Sequence, residues 1–148
     1  MRKLSLGVIA MAIATVSVAV VSAGAVTSKP LVAVQVDEFS VFPQTQGAPA
    51  GKVRFVVGNM GWRTHEMVVL PLAAAQAAGQ RVSGVGGKVD ETGSLGEASA
   101  SCAAGSGEGI EAGSVGWVTL NLARGRYEVV CNLRNHYANG MHQLLVVS

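Results

Sequence analysis

Histidine is scarce in this chain, with three among 148 residues, and cysteine scarcer still, with two. His65, His136 and His142 are the whole supply of imidazole. Charge of one sign is lacking too. The formal charge of +2 resides in Arg2 and Lys3; without those two of the eleven basic residues, nine face nine acidic ones. A near-neutral chain has no basic footprint for nucleic acid and no strong field to steer a charged partner. No strand–GxxxxGKS/T–helix unit and no GxGxxG turn occurs, which sets aside a phosphate cradle in the Gly-rich middle of the chain. Internal repeats are absent, and nothing marks a second domain. Helical pattern is almost missing: only Leu72 to Ala78, Ala-rich and stopped by Gly79, suggests a short helical segment.

The N-terminus reads as a secretory signal. Arg2 and Lys3 form a basic start, Leu4 to Val21 is apolar and uncharged, and Val21-Ser22-Ala23 and Ala23-Gly24-Ala25 each offer a small-x-small cleavage pattern. The expectation is a signal peptide over 1–25, cut near Ala23 or Ala25, ahead of a domain over 30–148. The competing reading is an uncleaved anchor, because the run approaches the ~20 residues of a membrane span. Small residues follow the run and no basic stop-transfer cluster does, which favours cleavage. No cysteine lies near the cleavage site, so a lipoprotein is not expected. The processed protein is expected to be exported, periplasmic or extracellular, without stable membrane insertion.

Strand-like alternation dominates what remains. Leu31 to Phe42 alternates, with Val32, Val34 and Val36 on one face. Lys52 to Val57 places Val53, Phe55 and Val57 inward and Lys52 and Arg54 outward, before Gly58-Asn59-Met60-Gly61 breaks the run. His65 to Leu70 is a third strand, ended by Pro71. Gly84 to Gly116 is a Gly-rich excursion with scattered acidic residues. Val115 to Leu122, Tyr127 to Cys131 and Gln143 to Val147 complete the set. Short strands with Gly/Pro punctuation and almost no helix predict an all-β fold, an antiparallel β-sandwich.

The chemistry gathers near the C-terminus, in Cys131-Asn-Leu-Arg-Asn-His136-Tyr-Ala-Asn-Gly-Met141. A thiol, an imidazole and a thioether sit on one loop between two apolar runs. That donor set suits copper cycling between Cu(I) and Cu(II). A trigonal site with an axial Met needs one more imidazole, and His65, in a loop at a strand start, is the candidate. Each residue has a plain alternative: Cys131 as a buried structural thiol, Met141 as core filler, His65 as a surface or capping group. A Cys102–Cys131 disulfide is the main competitor in an exported chain, but it leaves the spacing of His136 and Met141 unexplained. His142 adjoins Met141 and should point to the opposite face, away from the centre.

The stretches Pro49-Ala-Gly-Lys-Val-Arg-Phe-Val-Val-Gly-Asn59-Met-Gly, His65-Glu-Met-Val-Val-Leu and Gly125-Arg-Tyr-Glu-Val-Val-Cys131 through Met141 resemble the cupredoxin, or blue copper, family. The Cys-x4-His-x4-Met loop is similar to that of rusticyanin and sulfocyanin. The resemblance implies a Greek-key β-sandwich with one type 1 copper, held by His65, Cys131, His136 and axial Met141. It implies that electrons pass near His136 to redox protein partners, within an apolar ring for which Tyr137, Ala138 and Met60 are candidates. Many members carry Asn directly after the first His ligand; here Glu66 stands there, which puts the hydrogen bonding around the ligands in question. Asn132 could supply part of it. Cys102 has no family counterpart and is read as a free or intermolecular thiol. The leading function is an exported single-electron carrier, the alternative a copper-binding or delivery protein. A multicopper enzyme needs further imidazoles than His142 alone, so enzymatic activity is not expected.

Overall fold

The structure, a computed structural model, describes residues 30–98 and 109–148. The signal expected over 1–25 and Cys102 lie outside the described residues. Nine strands are formed among those described: β1 (Leu31–Asp37), β2 (Ser40–Pro43), β3 (Gly47–Ala48), β4 (Gly51–Asn59), β5 (Met67–Leu72), β6 (Gly96–Ala98), β7 (Val115–Leu122), β8 (Gly125–Val130) and β9 (His142–Val147). They build a four-stranded sheet in the order β2-β1-β4-β7 and a five-stranded sheet in the order β3-β9-β8-β5-β6. The result is the expected all-β sandwich, with β1–β4 and β3–β9 paired in parallel and the other pairs antiparallel.

Period-two alternation decides which face is buried. Val32, Val34 and Val36 of β1 and Val53, Phe55 and Val57 of β4 enter the core, while Leu31, Gln35, Lys52 and Arg54 face solvent. Met67, Val69, Val129, Leu145 and Val147 of the other sheet meet them across the sandwich. β5 does not alternate, and the reason is that both its faces are covered. Val68 and Leu70 form a second cluster with Val89, Val130 and Tyr137 on the outer face.

Three local expectations are corrected. Leu31 to Phe42 is not one strand but a hairpin, in which Asp37 pairs with Ser40 around a turn at Glu38-Phe39. The Glu38 carboxylate is drawn instead to the N–H groups of Trp62 and Arg63. β5 does not stop at Pro71, which pairs with Tyr127; its missing N–H is tolerated because β6 flanks only Met67 to Val69. The helical segment over 72–78 does not form. The carbonyl of Ala74 accepts from the Arg126 guanidinium, and the Gly79 N–H donates to the Glu128 carboxylate at 2.5 Å. Those groups are committed to the sheet, and so short a helix cannot offset its own nucleation. Among the described residues, no helix is long and apolar enough to cross a membrane.

Candidate metal centre

Strand register assembles the site before any side chain is considered. Val68 pairs with Val130, and Val130 with His142. The residues just before β5, just after β8 and just before β9 therefore share one end of the sheet. Those residues are His65, Cys131 and Met141. The loop 131–141 closes on itself: the Cys131 N–H donates to the Met141 carbonyl at 3.0 Å, the His136 N–H to the Leu133 carbonyl at 2.9 Å, and the Met141 N–H to the His136 carbonyl at 3.2 Å. His65 exchanges two backbone hydrogen bonds with Ile110, at 3.1 and 2.6 Å. Gly109 fits there because a Cβ would lie 2.7 Å from Thr64 Cγ2.

Three donor atoms converge. Cys131 Sγ lies 3.2 Å from His136 Nδ1 and 3.9 Å from His65 Nδ1, and the two Nδ1 atoms are 3.2 Å apart. His65 and Cys131 are fully buried and His136 is 8% exposed. Cys131 is a free, buried thiol; its competing partner Cys102 lies outside the described residues. Burial pushes this thiol up to about 12, against the N–H groups of Glu66 and Leu133 that pull it down. Burial, then the nearby His65 and Arg63, lowers His136 and keeps its ring neutral. One sulfur and two ring nitrogens, closely spaced and shielded from water, are a donor set for a borderline or soft metal ion. Met141 is fully buried in the same core cluster as Cys131, its backbone bonded to both neighbours in the loop.

Side chains around the donors are only partly legible in the sequence. Glu66 occupies the place of the expected Asn and ties the two ligand segments together. Its N–H donates to Cys131 Sγ at 3.3 Å, and its Oε1 accepts the Asn132 N–H at 2.9 Å. Burial first, then the charges of Glu97 and Glu91, raise its carboxyl to about 7. Asn132 bonds both backbone groups of Val89. Glu38 and Asn59 escape sequence reasoning. Glu38 Oε1 lies 3.1 Å from His65 Nε2, and Asn59 Nδ2 donates to the carbonyls of Arg63 and Ile110, each at 2.7 Å. The one signal for Glu38 is the charged interruption Asp37-Glu38 in an otherwise alternating run.

The surface near His136 also differs from expectation. Met60 and Ala138 are exposed, but Tyr137 is turned inward, its OH donating to Glu128 at 3.1 Å and accepting the Arg81 N–H at 3.0 Å. Phe39 packs edge-on against the His136 ring, with centroids 5.7 Å apart, and Trp62 is 79% exposed in the loop after β4. His142 lies outside the donor cluster, half-buried, with its ring packed on Tyr137 at 5.1 Å between centroids.

No protein-family model and no curated protein matches the sequence. Solved structures do. Auracyanin A, a blue copper protein from the green thermophilic photosynthetic bacterium Chloroflexus aurantiacus, is 17% identical with a TM-score of 0.58, over 82% of this chain and 100% of its own. Auracyanin from Roseiflexus castenholzii is 15% identical with a TM-score of 0.55, over 82% and 98%. Reduced rusticyanin is 20% identical with a TM-score of 0.50, over 82% and 81%. At such identities the likeness is one of fold.

Proposed function

We propose, for a chain whose fold is the cupredoxin fold, that His65, Cys131 and His136 would hold one type 1 copper, with the Met141 thioether as a fourth, weaker donor, and that the protein carries single electrons between redox partners. The observation that carries this reading is the trio of Cys131 Sγ, His65 Nδ1 and His136 Nδ1, all within 4.8 Å of one another and all buried. Bound copper would supply a one-electron Cu(I)/Cu(II) couple. The chain's own part is to hold the donors fixed. The closed loop 131–141 and the Ile110 bridge restrain both imidazoles, so little rearrangement opposes electron transfer. Cys131 Sγ surrenders its proton on metal binding, since the thiolate is the ligand form.

The burial of His65 and Cys131 favours a retained metal over one handed on, and so an electron carrier over a delivery protein. It is read as a carrier and not an enzyme. The exposed Phe39 against His136, with the exposed Met60 and Trp62 of the loop after β4, would offer an apolar docking face for redox proteins. The signal 1–25, removed near Ala23 or Ala25, would deliver the domain 30–148 to the periplasm or the exterior.

Adding Cu(II) to the purified protein tests the reading. The expected outcome is an intense blue band and a type 1 EPR signal, both lost in Cys131→Ser. A colourless Cu(II) complex of the wild type would exclude the centre.

A further inference from the structure

A metal-ligating imidazole has two nitrogens, and what the outer one meets governs what the inner one can do. His65 turns Nδ1 to the thiol and Nε2 to Glu38 Oε1, 3.1 Å away. His65 is fully buried and the Glu38 side chain is 8% exposed, so water competes little for this contact. Glu38 comes from the β1–β2 turn, 27 positions from its partner. The same oxygen accepts the N–H of Arg63 at 2.8 Å and of Trp62 at 3.1 Å. Gly61 makes the approach feasible: a Cβ there would fall 2.6 Å from the carboxylate. The Glu38 carboxylate is thus anchored by backbone donors and aimed at one ring nitrogen.

We infer that Glu38 is a positioning residue of the metal centre, whose anionic hydrogen bond keeps the His65 proton on Nε2 and lowers the reduction potential. An ionised carboxylate only accepts, so Nε2 carries the proton and Nδ1 presents its lone pair. A carboxylate accepting from the outer N–H makes Nδ1 a stronger donor. A stronger donor favours the higher metal charge, Cu(II) over Cu(I). The His136 ring meets the Phe39 edge and the donor cluster instead, so the two imidazoles are electronically unequal. The inference rests on the reading of His65 as a copper ligand.

Glu38→Gln separates charge from shape, because its amide oxygen can still accept from Arg63, Trp62 and His65. In the full chain loaded with copper, Glu38→Gln should stay blue while its preference for Cu(II) over Cu(I) falls about tenfold, read by voltammetry as a rise of about 59 mV for a one-electron couple. A metal-free measurement runs beside it. The His65 Nε2 proton should resonate far downfield in the wild type, move upfield in Glu38→Gln, and broaden into solvent exchange in Glu38→Ala. A blue wild type whose potential is unmoved in Glu38→Gln overturns the role in the potential, and a proton resonance unmoved in both variants overturns the hydrogen bond. A wild type that binds copper without colour defeats the carrier reading itself, and the effect on potential with it.

Discussion

The two sides of the donor cluster are built by different means. Cys131, His136 and Met141 lie on one short loop whose own backbone hydrogen bonds close it. His65 stands alone in sequence, and its support comes from Glu38, Asn59 and Ile110, brought in from three other parts of the chain. The first side is a local motif held mainly by main chain. The second is a tertiary construction that adds the Glu38 and Asn59 side chains to its main-chain bonds with Ile110, and single substitutions should therefore damage it more readily.

Glu128→Ala offers the harshest way to break that comparison. Glu128 is fully buried and accepts from Arg81 at 2.6 Å, Gly79 and Tyr137. Removing it takes the anionic partner from Arg81, which keeps only the Pro71 carbonyl, and the acceptor from Gly79 and Tyr137, and should cost about 3 kcal/mol in urea unfolding. The copper spectrum of the folded protein should nevertheless be unchanged; an altered spectrum would mean that loop 131–141 depends on the Tyr137 anchor after all. Asn59→Ala acts on the other side. It takes the Asn59 donor from the Arg63 carbonyl and leaves the Ile110 carbonyl with the His65 N–H alone, and it should cost about 1–3 kcal/mol, this time with a changed spectrum and faster copper loss to a chelator.

Glu66 links the two sides, and pH sharpens its part. Its folded carboxyl is raised to about 7 from 4.5, so the metal-free protein is favoured while Glu66 is protonated. That stability is fully present below about pH 4.5 and is lost as pH rises through 7, by an amount on the order of 3 kcal/mol. Glu66→Gln, which can still accept the Asn132 N–H, should flatten this part of the stability profile in chemical denaturation. The smallest effect belongs to Trp62→Ala. Trp62 is exposed, so stability should move by less than about 0.5 kcal/mol with the spectrum intact; only the rate of electron exchange with a protein partner should fall.

Legibility follows the same division. The faces of β1, β4 and β7 are readable because each strand has one wet and one dry side. The order of donors in 131–141 is readable because it is contiguous. His65 can be nominated only because imidazole is so scarce. Glu38 and Asn59 cannot be found from spacing, since the hairpin turn and strand order that bring them to His65 are properties of the assembled sheets. The Ala-rich stretch misleads for a related reason: Arg126 and Glu128 claim its backbone groups from across the sheet, and helix propensity has no view of such partners. Tyr137 is expected at the surface and found inside because neighbours on an irregular loop follow no fixed alternation.

The paired bonds between His65 and Ile110 have a mechanical consequence. Gly109 is wedged against Thr64 and the His65 carbonyl, so the chain at Gly109-Ile110 is moored to the segment that carries His65. A tether or electrode linker spliced in upstream of Gly109 would pull on that mooring rather than on the imidazole, making this a grafting point close to the centre and insulated from it.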